Sequence, residues 1–143
     1  MLEMQDAMNT KVNEDWRNAG FEWYRAIWME ASEMLEHYGW KWWKKQDPDV
    51  MQVKLEVVDI VHFALSIRLV QGASVDEIAE SVAADLASPI SADNVRTSIE
   101  LLAKETLIDQ GAHFSIIAGV MGHLNMSFDE LYEVYTGKNV LNI

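Results

Sequence analysis

Glu30-x-x-Glu33 and Glu56-x-x-Asp59 are two acidic pairs of matched spacing, each set in an apolar stretch with helical patterning. Residues three apart on a helix share a face. Two such helices packed together would gather four carboxylates into one cluster. Four carboxylates repel one another, and burial sharpens the repulsion unless positive charge sits among them. A divalent cation held by oxygen ligands answers that need, and oxygen-only ligation favours Mg²⁺ or Mn²⁺. Between the pairs runs Trp40-Lys41-Trp42-Trp43-Lys44-Lys45, a basic and aromatic segment. Its lysines offer a local attraction for an anion beside the acids, or else a solvated turn without a role.

The elements that must position these acids can be read from periodicity. Tyr24, Ile27, Trp28, Ala31, Met34 and Leu35 form one helix face, with Glu30 at its edge and Glu33 one step further round. In the second stretch, apolar residues from Val53 to Val70 point in every direction, the pattern of a central, buried helix. Glu56 and Asp59 are therefore acids inside a core helix, where acids rarely stand unpaired. The plain alternative is neutralisation by Lys54 or Arg68, the nearest basic residues. Two pairs at one spacing favour the metal.

Helices are expected over roughly 1–12, 20–38, 50–71, 75–87, 91–109, 112–124 and 128–136. Pro48 stops any helix from running through the 37–49 connection. Ser74-Val-Asp-Glu77 and Ser127-Phe-Asp-Glu130 read as capping boxes, and Gly137 as the residue that ends the last helix. No stretch alternates with period two for long enough to propose a sheet, so the fold class is all-α. All six tryptophans lie between residues 16 and 43. Trp23 and Trp28 suit a core face. Trp40, Trp42 and Trp43 crowd a turn, where they would be buried in the core, line a dimer interface or stack on a nucleobase.

With 143 residues, half of them hydrophobic, and no linker-like stretch, the chain fits a single domain spanning 1–143. It has no cysteine, which excludes disulfides and points to a reducing, cytoplasmic setting. Met1-Leu2-Glu3-Met4-Gln5-Asp6 has neither the basic region nor the apolar run of a secretion signal. Glu56, Asp59, His62 and Arg68 in the most apolar helix argue against a membrane span. A net charge of −12 disfavours nucleic acid as a partner.

The run Trp28-Met-Glu30-Ala-Ser-Glu33, then Tyr38-Gly-Trp40-Lys-Trp-Trp43-Lys44, then Lys54-Leu-Glu56-Val-Val-Asp59-Ile-Val-His62-Phe63 resembles the dimeric, all-α dUTPases, within the MazG-like all-α nucleotide pyrophosphatases. Leu2-Glu-Met-Gln5-Asp-Ala-Met-Asn9 is similar to that family's N-terminal helix, and Tyr132-Glu-Val-Tyr135-Thr-Gly137-Lys138-Asn-Val-Leu-Asn142 to its C-terminal signature. The resemblance spans nearly the whole chain and is weakest between about 72 and 112.

The resemblance implies a four-helix-bundle-like core with additional C-terminal helices, and a homodimer. It implies Mg²⁺ on Glu30, Glu33, Glu56 and Asp59, with Glu33 also orienting or deprotonating the attacking water. Gln5 and Asn9 would recognise the base, Trp43 would lie near the nucleoside, and Lys138 and Asn142 would reach the phosphates from a mobile segment. Lys41 and Lys44 are further candidates for phosphate. The expected reaction is hydrolysis of dUTP, and of dUDP as a second substrate, to dUMP, with pyrophosphate released from the triphosphate. The family signature continues past Asn142 with an Arg and a Gly-Tyr segment, so the last part of it is expected to be missing. Val61, where an aromatic is common in the family, leaves dCTP or another pyrimidine nucleotide open as substrate.

Two readings of other classes remain at this point. Asp59-x-x-His62 matches half of a di-iron carboxylate motif, but the second Glu-x-x-His is missing. A non-catalytic helical interaction domain would leave Glu56 and Asp59 without a reason to be buried.

Overall fold

Helix α3 (Val50–Val70) is the axis of the protein. It contains neither Gly nor Pro, and Asp49 caps it by accepting a hydrogen bond from the Gln52 backbone N–H at 3.2 Å. Twelve of its 21 residues are buried, spread around the whole circumference as the sequence pattern requires. The computed structural model describes residues 1–142, with side chains through Asn139, and among these residues there are seven α-helices and no strand.

Helix α2 (Trp23–Tyr38) lies along α3 and buries Ile27, Ala31 and Met34, a stripe at helical spacing. Gly39 ends α2 at φ 92°, in the left-handed region that favours glycine, and its N–H bonds Leu35 O. Gln46 then closes the connection. Its Oε1 accepts from the backbone N–H groups of Trp40 and Lys41 at 3.0 and 2.6 Å, while the Asp49 N–H bonds His37 O at 2.9 Å. The result is a helical hairpin that fixes α2 on α3.

The remaining helices pack around this hairpin. Helices α1 (Leu2–Val12) and α7 (Phe128–Asn142) lie against α3 and against each other. Helix α5 (Val95–Asp109) packs on α2, while α6 (Phe114–His123) touches α3, α5 and α4 (Val75–Leu86). A short 3-10 turn, Trp16–Asn18, brings Trp16 into the core. No helix of the described residues is long and apolar enough to cross a membrane.

Several boundaries depart from expectation. Helix α5 begins four residues late, because Asn94 and Thr97 form the reciprocal capping box that the sequence reading placed elsewhere. Ser74 and Ser127 do cap their helices, accepting from the Glu77 and Glu130 N–H groups. The Glu130 carboxylate, however, turns to Lys54 at 2.8 Å. Helix α7 does not stop at Gly137 but runs through it to Asn142. A glycine inside a helix costs about 1 kcal/mol relative to Ala, and two anchors beyond it offset that cost. Lys138 pairs with Asp59, and Asn139 is buried. The tryptophans of the turn are not core residues: Trp40, Trp42 and Trp43 are exposed and pack edge-on against one another.

Candidate metal centre

The α2–α3 hairpin brings the two acidic pairs together. One carboxylate oxygen from each of Glu30, Glu33 and Glu56 lies within 4.8 Å of the others. Glu56 is buried, Glu30 half-buried and Glu33 exposed, so the cluster runs from the core to the surface. Asp59 is set apart from this trio by its own partner, the Lys138 ammonium on α7.

The two cations first suggested by sequence neutralise none of these acids. Lys54 is committed to Glu130, and Arg68 to Asp85 at 3.0 Å. His37 Nε2 stands 3.8 Å from Glu56 Oε1, on a partly exposed side chain. Glu30 Oε2 and Glu56 Oε2 are buried without a hydrogen-bond partner. Such oxygens are costly when ionised. Burial, then a shared hydrogen bond and repulsion from Glu56, push the Glu30 carboxyl up to about 9. A protonated Glu30 lowers the charge of the metal-free cluster. Burial also raises the Asp59 carboxyl, against the opposing pull of Lys138. Convergent oxygen donors with unsatisfied lone pairs fit a hard divalent cation.

That proton gives a pH dependence. Because the folded Glu30 holds its proton up to about pH 9 and the unfolded one releases it near 4.5, the metal-free fold loses stability as pH rises through that window. A cation must displace the same proton, so its apparent affinity rises with pH, by up to about tenfold per unit until about pH 9. Tryptophan fluorescence titrations with Mn²⁺ at several pH values check this. An affinity flat from about pH 6 to 9 would contradict it.

The remaining candidate residues fall into three groups. Gln5 and Asn9 on α1 do face the hairpin, but they are buried and already engaged. Gln5 Nε2 donates to Asn9 Oδ1 at 3.0 Å, and Asn9 Nδ2 donates to Ser66 Oγ at 2.9 Å. Lys41 pairs with Glu36 at 3.7 Å, Lys44 acts on the same carboxylate, and Trp43 lies exposed in the connection. The two lysines act on Glu36, a turn beyond Glu33. Lys138 is on helix rather than on a loose segment, and it already reaches the acids. The side chain of Asn142 lies outside the described residues.

Four residues that sequence reasoning gave no part in the base site join Gln5 and Asn9 in one buried polar group. Tyr135 OH donates to Gln5 Oε1 at 2.8 Å, and the same oxygen lies 2.6 Å from His62 Nδ1. The His62 and Tyr135 rings stack at 4.3 Å. Ser66 and Asn139 complete the buried polar group on α3 and α7. Spacing from Asp59 had marked His62 as half of a di-iron motif, yet its Nδ1 serves Gln5 and its buried Nε2 has no partner. Burial and the Lys138 charge lower its pKa to about 4, so the ring is neutral.

The family model described as dUTPase matches residues 1–143, the whole chain. The chain therefore belongs to the dUTPase family, whose members are nucleoside triphosphate pyrophosphohydrolases acting on dUTP and generally depend on divalent metal. No curated protein matches it.

Proposed function

We propose that this dUTPase family member hydrolyses dUTP to dUMP and pyrophosphate by attack of water on the α-phosphorus, with Mg²⁺ or Mn²⁺ held by Glu30, Glu33, Glu56 and Asp59. The observation that carries this reading is the carboxylate trio with two buried, unpartnered oxygens. When bound, the cation supplies charge neutralisation for the triphosphate and acidifies water. Glu33, the exposed member, takes the proton of the attacking water. The new P–O bond forms in line with the bridging oxygen, which leaves with pyrophosphate. The residues 1–143 act as one catalytic domain in this reading, with dUDP as a second substrate cleaved at the same phosphorus.

Incubating the protein with Mg²⁺ and a panel of nucleoside triphosphates tests the reaction. dUMP and pyrophosphate are the expected products. dUDP and orthophosphate would overturn attack at the α-phosphorus.

Lys138 has a double role here. In the metal-free protein it is the counter-charge of Asp59, and with substrate present it turns to the phosphates, as do Lys41, Lys44 and Asn142. Lys138→Ala should then tighten Mn²⁺ binding in the absence of nucleotide, since the competing ammonium is gone. The same change should raise KM for dUTP. Weaker Mn²⁺ binding in the variant would mean that Lys138 organises the site rather than competes for it.

A homodimer completes the proposal. Trp40, Trp42 and Trp43, with Met29 on α2 and Met51 on α3, leave large apolar side chains in water. A second copy covering them would bury that surface. Sedimentation at tens of micromolar protein should show a species near twice 16.3 kDa, and a monomer alone would refute the dimer.

A further inference from the structure

The buried polar group around Gln5 has a direction, and the direction matters to the base. Ser66 Oγ donates its single proton to the His62 carbonyl of its own helix at 2.9 Å. It can therefore only accept from Asn9, which must turn Nδ2 toward it. Asn9 Oδ1 is then left to face Gln5 Nε2. Gln5 Oε1 in turn faces Tyr135 OH and the protonated Nδ1 of His62.

The opposite sense is conceivable. Both amides would flip, Ser66 would give up its bond to the helix carbonyl, and His62 would carry its proton on Nε2. That nitrogen is buried without an acceptor, so the flipped arrangement strands an N–H, the rarer and costlier defect. Two features, the Ser66 back-bond and the His62 tautomer, thus select one sense.

In that sense each amide keeps unused valences: a second hydrogen on Gln5 Nε2, a second lone pair on Asn9 Oδ1 and a second hydrogen on Asn9 Nδ2. In order they read donor, acceptor, donor. Uracil offers acceptor, donor, acceptor along O2, N3–H and O4. Cytosine offers acceptor, acceptor, donor, and meets this pattern with two mismatches. We propose that Ser66 is a positioning residue that, with His62, fixes the amide sense of Gln5 and Asn9 and so makes the site read uracil and reject cytosine. The proposal rests on the reading that Gln5 and Asn9 meet the base. Both are covered in the ligand-free protein, at 1% and 7% exposure, so a base reaches them only when α1 or α7 shifts. A pair held from behind by α3 then meets the base already oriented, which is where preorganisation gains selectivity.

The test compares kcat/KM for dUTP and dCTP in the wild type, Ser66→Ala, Ser66→Thr and Asn9→Ala. Ser66→Ala should lower the dUTP-to-dCTP ratio by about tenfold or more, through KM for dUTP, and Ser66→Thr should restore much of it because the hydroxyl returns. Nitrogen-15 NMR of the wild-type protein should find His62 as the Nδ1–H tautomer, a measurement that needs no variant to fold. An unchanged ratio in folded Ser66→Ala, or an Nε2–H tautomer in the wild type, overturns the proposal while leaving the base reading intact. A wild type indifferent to dUTP and dCTP, or an Asn9→Ala ratio equal to wild type, defeats the base reading itself.

Discussion

Glu33→Gln should lower kcat for dUTP by about two to four orders of magnitude, the range expected for loss of a general base, with the melting temperature little changed. The two halves of this expectation come from different observations. Glu33 is the only exposed member of the trio, so an amide there meets water and leaves no buried group stranded. It is exposed on α2, whose buried residues are Ile27, Ala31 and Met34. Its exposure also lets water reach it, whereas Glu30 is half-buried and Glu56 buried. An amide keeps an oxygen that can ligate a cation weakly but has no basic lone pair to take the proton. Substrate binding should therefore suffer less than turnover. The measurement is steady-state kinetics with dUTP beside a thermal melt. If KM rises while kcat holds, Glu33 is a ligand alone, and the base lies elsewhere.

The acids of the hairpin were legible in the sequence because everything that places them is local or nearly so. The spacing of each pair is one helical step, and the all-round apolar pattern of Val53–Val70 marks α3 as central whatever the rest of the chain does. The partner of each buried group was not legible. Lys138 is 79 residues from Asp59 in sequence, and Ser66 is 57 from Asn9. Proximity had nominated Lys54 and Arg68, but their side chains leave α3 on other faces, toward Glu130 and Asp85. The end of α7 was misread for a related reason. Gly137 is a stop signal in isolation, and it is overruled by Lys138 and Asn139, whose anchoring is visible only once α7 lies on α1 and α3. Local rules give way where tertiary contacts are worth more than propensity.

Glu56→Gln should abolish the rise in melting temperature that saturating Mg²⁺ or Mn²⁺ gives the wild type, and should itself raise the melting temperature of the metal-free protein. Glu56 is the buried anchor of the cluster, and one of its oxygens has no partner in the ligand-free fold. In the wild type the neighbouring Glu30 stays protonated, which spares Glu56 a second adjacent charge. An amide of the same shape donates an N–H to Glu30 instead, and removes one charge from a site that also repels Asp59. Replacing a buried charge that lacks a good partner by a neutral isostere is commonly neutral or stabilising. Burial still holds the Glu30 carboxyl up, but it should titrate lower than in the wild type, because the repulsion from Glu56 is gone and a donated N–H favours the carboxylate. Metal binding, in contrast, loses its innermost anion, and a cation stabilises the fold by only RT ln(1 + [L]/Kd), which shrinks as Kd rises. Paired melts with chelator and with excess metal separate the two effects. A marked fall in the metal-free melting temperature would identify Glu56 as half of a structural ion pair with His37, 3.8 Å away. Stability of the fold and function of the site would then depend on the same charge, rather than oppose each other as the unpartnered oxygen implies.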